Sequence, residues 1–112
     1  VVFGDGKQMR SFTWVKDLVR ANINASVSPA STGQVYNAAS GISVTINELA
    51  LKMKEMLKSD VEIIHGDPLI GDIMFFDVSN TKIMKDLDIT FEKDFWGTLN
   101  NTLNEFIDYL NK

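Results

Sequence analysis

The chain has no cysteine, one histidine and two prolines, and only 11 basic residues against 15 acidic ones among 112. The missing cysteines exclude disulfides and thiolate metal sites, and they fit a reducing compartment, so a cytoplasmic setting is expected. A net charge of −4 and a pI near 4.8 exclude the basic face that general nucleic-acid binding requires. Apolar runs stay well short of the ~20 residues of a membrane-spanning helix, so no membrane partner is expected, and no signal peptide is visible. The glycines stand at 4, 6, 33, 41, 66, 71 and 97, and no trio has the spacing of a dinucleotide fingerprint. A Walker loop is equally absent, so no cofactor is expected in this chain. A Ser–His–acid triad would have to use His65, which precedes Gly66-Asp67 in a chain without a nucleophile elbow. It reads as a loop histidine. One histidine and scattered carboxylates form no spaced metal-ligand set, so no metal is expected either.

What remains is ordinary material for a globular fold. Hydrophobic residues make up 45% and charged residues 23%, enough for one compact domain over 1–112 that buries roughly 65% of its unfolded surface. The first residue is Val1, already inside an apolar run, which suggests a piece of a longer chain. "VVFG" predicts a short strand stopped by a Gly-Asp-Gly turn, and "SFTWV" a second extended piece. Val15, Leu18, Val19 and Ile23 predict a helix over about 15–26. "SPASTG" reads as loop, "QVYNAA" at 34–39 as a strand, and "VEII" at 61–64 as another.

The strongest local signal lies between the last two of these. Thr45 and Glu48 form a capping box, and Ile46, Leu49, Ala50, Met53, Met56 and Leu57 make one apolar face, predicting a helix over 46–58. Asp77 or Ser79 is expected to cap a short helix ending near Leu87. Asp94 is expected to cap a final helix carrying Phe95, Trp96, Leu99, Leu103, Phe106, Ile107 and Leu110. The result is a small mixed α/β fold of short strands and about four helices. Its strands are too few for a self-sufficient doubly wound sheet.

Two residues carry binding chemistry. Arg10 follows a glycine turn that lets backbone approach a ligand, and guanidinium suits bidentate phosphate contact. Asp72, in "GD" before an extended segment, could accept hydrogen bonds from ribose hydroxyls. Taken alone, each is equally a solvated arginine and a turn carboxylate, and spacing does not separate these readings.

Longer stretches do more. "FGDGKQMRSFTWVKDLVRANI" resembles "GDG-x-Q-x-R-D-F-x-x-V-x-D" of the NAD-dependent epimerase/dehydratase family, the extended short-chain dehydrogenases acting on nucleotide sugars. "GQVYNAASGISVTINELA" is similar to that family's "G-x-x-Y-N-I-G-S-G-x-x-x-T-I-x-E-L". "PLIGDIMFFDVSNTKIMKDL" is similar to its "P-x-R-x-G-D-I … D-x-S-K-A-x-x-x-L-G". The resemblance covers essentially the whole chain and is to the UDP-glucose 4-epimerase-like members of the family. It implies the C-terminal lobe of such an enzyme without its Rossmann half, a lobe that closes on the sugar nucleotide.

The family's glycine fingerprint and its Y-x-x-x-K pair belong to the N-terminal half and are not in this sequence. The resemblance therefore implies an enzyme as parent, with NAD(P) and a Rossmann domain as partners, and no catalytic residue or turnover in the chain alone. Carried over residue by residue, it places Val1 and Phe3 against the nucleobase, Arg10 at the diphosphate, Asp72 at the ribose and Phe76 on the same pocket. Three positions depart from the pattern: Leu69 replaces a diphosphate-binding arginine, Ser11 an aspartate and Asp88 the glycine of the L-G turn. A different headgroup, compensation by Lys7, and weaker binding are all consistent with Leu69. A second role stays open alongside substrate binding: a non-enzymatic module that keeps the fold for ligand sensing or protein association. Separately, a fragment expressed without its larger domain is expected to expose "VVF" and part of "VYNAA" and so to self-associate.

Overall fold

The computed structural model describes residues 1–112. Four short strands and four helices follow one another: β1 (Val2–Phe3), β2 (Met9–Ser11), α1 (Val15–Val27), β3 (Ser43–Thr45), α2 (Ile46–Met56), β4 (His65–Gly66), α3 (Thr81–Leu87) and α4 (Phe95–Leu110). A 3₁₀ turn at Pro29–Ser31 lies between α1 and β3. This is the expected mixed α/β class. The chain divides into two compact units, one made of Val1–Arg10, Ser43–Phe76 and Trp96–Lys112, the other of Ser11–Ile42 and Asp77–Phe95.

The first unit holds the β1–β4 sheet and, except for Ser11, the β2–β3 sheet. β1 and β4 run parallel, with Val2 opposite His65 and Phe3 opposite Gly66, while β2 pairs with β3. α2 starts where the sequence says it should. The Thr45 hydroxyl accepts from the Glu48 amide at 3.1 Å, and the Glu48 carboxylate accepts from the Thr45 amide at 2.8 Å. Because the leading amides of a helix lack intrahelical partners, Ile46 N–H donates to Gln8 O at 3.1 Å and Asn47 N–H to Gly6 O at 3.0 Å. The first turn of α2 is thereby fastened to the loop at 5–8. α2 ends before Lys58, which adopts a φ of 48°. α4 contributes no fully buried side chain, and Phe106, Tyr109 and Leu110 are exposed.

The second unit owns the apolar core. Ala21 of α1 meets Ile83 and Leu87 of α3 together with Ile89 and Phe91, and Ala25, Tyr36, Ala38 and Met84 pack on this cluster. Asp17, 1% exposed, is tied down by charge-assisted bonds from Arg20 Nη2 at 2.6 Å and the Glu92 amide at 2.8 Å. Burial of a carboxylate is tolerable only with such partners. Phe12 stacks on Phe95 with ring centroids 5.6 Å apart.

Several local expectations shift. "QVYNAA" at 34–39 is not a strand: its alternation serves packing of Tyr36 and Ala38 on the helical core. Backbone acceptors in and just after it are met by side chains, Val35 O by Lys82, Ala39 O by Asn80 and Ser40 O by Lys93. "VEII" at 61–64 is irregular, and pairing begins only as Val2 N–H reaches Ile64 O, so the strand lies at His65–Gly66. The extended piece near 11–15 likewise sits earlier, at Met9–Ser11. α3 begins after Asn80 rather than at Asp77 or Ser79, with Ser79 Oγ accepting from the Thr81 amide at 3.4 Å.

Candidate functional site

A cleft of about 330 Å³ lies within the first unit. One wall is Phe3, Gly4, Asp5 and Gln8, and the other is Pro68, Leu69, Asp72 and Met74. The first wall exists because the chain reverses between β1 and β2. Gly4 and Gly6 take φ of +71° and +70°, the left-handed region that costs other residues energy. Asp5 Oδ1 accepts from the Lys7 amide at 3.0 Å, and this backbone bond, helped by the Lys7 ammonium, holds the Asp5 carboxyl below its ordinary value. Gln8 is 7% exposed and donates from Nε2 to Phe3 O at 2.9 Å, so a buried amide fixes the backbone that presents the Phe3 ring.

The second wall is joined to β2. Met9 N–H donates to Met74 O at 2.9 Å, and the turn before it is closed by Asp72 N–H on Leu69 O at 3.2 Å. The Arg10 guanidinium spans from one segment to the other. It donates through Nη1 to Met9 O at 2.8 Å and to Ile73 O, and through Nη2 to the Asp72 carboxylate. Both charged side chains are partly shielded, at 31% and 24% exposure. The two sequence-nominated polar residues, 62 positions apart, are thus direct partners.

The nominated apolar residues divide. Phe3 lines the cleft and remains about half exposed. Val1 is exposed and lies against Gly66, where an added Cβ would come within 3.3 Å of its Cγ1. Phe76 is exposed and, like Val1, is not among the lining residues. Leu69 offers the cleft an apolar surface where the family pattern has a cation. With Arg10 paired to Asp72 and Lys7 to Asp5 at 3.5 Å, the rim gathers little net charge. Sequence reasoning missed Gln8, Pro68 and Met74. For Gln8 the signal was present, since it is the glutamine of the "Q-x-R" stretch.

A second depression, about 210 Å³, lies between α1 and α3 in the other unit, where it borders the core residues Ala21, Ile83 and Leu87. A dinucleotide cofactor does not fit the residues of this chain. Its left-handed glycines, at 4, 6, 33, 41 and 71, all sit in turns that open no helix, whereas pyrophosphate binding needs the glycine turn at a helix N-terminus.

The same fold recurs as one part of longer solved epimerases of the extended short-chain dehydrogenase type. No family model matches the chain. It is 37% identical over 65 residues to the UDP-N-acetyl-alpha-D-glucosaminuronate decarboxylase of Bacillus cytotoxicus, covering 58% of this chain and 20% of that protein. The solved UDP-glucose 4-epimerase of Thermotoga maritima with UDP-glucose superposes with a TM-score of 0.86 at 29% identity, covering 97% of this chain and 35% of that one. MoeE5 in complex with UDP-glucose and NAD gives 0.85 at 26% identity, over 97% of this chain and 36% of that one. Sequence and structural neighbours together point to the NAD-dependent epimerase/dehydratase family. The chain spans only a fifth to about a third of the length of these proteins.

Proposed function

We propose that this chain is the C-terminal, substrate-binding region of an NAD-dependent nucleotide-sugar epimerase or dehydratase, and that its cleft holds the nucleoside diphosphate part of the substrate. The observation that carries this is the pairing of Arg10, itself outside the cleft lining, with Asp72, which lines a cleft whose first wall holds Phe3. In this reading Phe3 faces the base, Val1 and Phe76 are assigned to the same pocket from outside the cleft lining, Arg10 serves the diphosphate and Asp72 the ribose. NAD, bound by a Rossmann partner domain of the cytoplasmic parent, supplies the hydride chemistry there. The residues of this chain anchor the non-reacting end of the substrate, so that remote binding energy orients the sugar for reaction elsewhere.

Calorimetric titration with UDP-glucose tests the reading. Loss of the Arg10 contact in Arg10→Ala removes a charge-assisted bond of roughly 1.5–3 kcal/mol, or one to two decades of affinity. Equal affinity of the variant and the wild type would sink the assignment.

Leu69 favours a second reading, a module retained for association without catalysis. Val15, Val19, Ile23 and Val27 stand four residues apart on α1 and are each more than half exposed, and Val35 is 84% exposed. Such a β-branched stripe favours self-association of the chain. Sedimentation at rising concentration should show dimers or larger species, and a clean monomer throughout would exclude it.

A further inference from the structure

The loop at 5–8 is held from behind by a residue outside the cleft. Asn47, second residue of α2, gives its backbone N–H to Gly6 O at 3.0 Å and its side-chain Nδ2 to Asp5 O at 2.8 Å. Its Oδ1 lies 2.9 Å from His65 Nε2 on β4. Asp5 O can only accept, so the amide nitrogen must face it and the amide oxygen must face the histidine. His65 therefore carries a proton on Nε2 and donates. The packing is equally close: a Cβ on Gly6 would fall 1.9 Å from Asn47 Oδ1.

These bonds join the two sides of the cleft. Asp5 belongs to the first wall, and His65 begins the segment that leads through Gly66 to Pro68 and Leu69 of the second. Gly4 N–H donates to Gly66 O at 3.0 Å, and a Cβ on Gly4 would touch Pro68 at 3.7 Å. The walls are close at this end, and Asn47 is bonded to both of the segments that form them.

We infer that Asn47 is a positioning residue that sets the spacing of the cleft walls, with His65 as its partner. The effect on ligand rests on the proposed nucleotide reading, whereas the bracing itself does not. Two measurements on the whole chain separate them: hydrogen exchange of the Gly4 amide, and calorimetric titration with UDP. Asn47→Ala loses two side-chain hydrogen bonds, which corresponds to about tenfold in Gly4 protection and about tenfold in UDP affinity. Amides of α1 in the other unit should keep their protection.

Asn47→Asp should also lose Gly4 protection, though it still accepts from His65, because a carboxylate offers Asp5 O no donor. His65→Gln should stay close to wild type because it restores a donor at similar reach, and His65→Ala should show a smaller loss than Asn47→Ala. Unchanged Gly4 exchange in both Asn47 variants would overturn the inference, as would full rescue by aspartate. If the wild type binds no UDP, the nucleotide reading fails by itself. Bracing is then supported by faster Gly4 exchange in Asn47→Ala and overturned by unchanged exchange.

Discussion

Replacing Gly6 by alanine brings two separable costs into one residue. The φ of +70° puts an L-residue in the left-handed region, which costs roughly 1–2 kcal/mol. The new Cβ would also lie 1.9 Å from Asn47 Oδ1 and 2.3 Å from its Cγ, so Asn47 must swing away and surrender its bonds to Asp5 O and His65. At about 0.5–1.5 kcal/mol per bond, the total reaches about 2–5 kcal/mol. Gly33 supplies the control. Its φ is +69° and nothing lies within 4 Å of an added Cβ, so Gly33→Ala should show the conformational cost alone, roughly 1–2 kcal/mol. Urea unfolding monitored by circular dichroism measures both. In the Gly6→Ala/Asn47→Ala double variant the clash is gone, and the alanine at 6 should then cost about as much as the alanine at 33. A Gly6→Ala cost no greater than that of Gly33→Ala would refute the reasoning, because Asn47 would then not be seated on the turn.

Asp17→Ala leaves the Glu92 amide and the Arg20 guanidinium without their shared acceptor, and should cost about 2–4 kcal/mol in urea unfolding. A cost below about 0.5 kcal/mol, the ordinary surface range, would contradict it. Asp88 closes α3 with φ 48° and ψ 49°, so Asp88→Gly should stabilise by about 0.5–1 kcal/mol, and destabilisation would count against a left-handed cap. The Glu48 carboxyl is held below its ordinary value chiefly by the Thr45 amide and then by the Thr45 hydroxyl. Its contribution is therefore complete above the ordinary carboxylate range and lost as pH falls through the lowered value. The stability gap between wild type and Glu48→Gln should narrow from pH 7 to pH 3, and a constant gap would show that the charge is irrelevant to the cap.

The helices were legible in sequence because their signals are local. The capping box at Thr45 and Glu48 marks the start of α2, and the left-handed Lys58 marks where it has stopped. The strands were harder. Each is two or three residues long and is defined by a partner that local pattern cannot name. "VEII" and "QVYNAA" have strand composition, yet Ile64 merely precedes the ladder, and Tyr36 and Ala38 face helices. Asp88 departs from the family's glycine but keeps a left-handed backbone at that place, as an aspartate can. Within the site, spacing left Arg10 and Asp72 ambiguous. Resemblance nominated them, and the fold then paired them. Gln8 stands in the "Q-x-R" stretch, yet its partner, like that of Asn47, is a backbone carbonyl, of Phe3 and Asp5 respectively, and the sequence does not name that partner. Ser11 Oγ is buried without a hydrogen-bond partner, and nothing in the fold explains why serine stands there.

The proposed role requires the cleft between Phe3 and Asp72 to receive a nucleoside diphosphate. Titrating the isotope-labelled chain with UDP and following amide resonances tests it directly. Saturable shifts should concentrate at Gly4, Asp5, Leu69, Asp72 and Met74 and weaken in Arg10→Ala. Shifts confined to α1 and α3, or none at millimolar UDP, would contradict it.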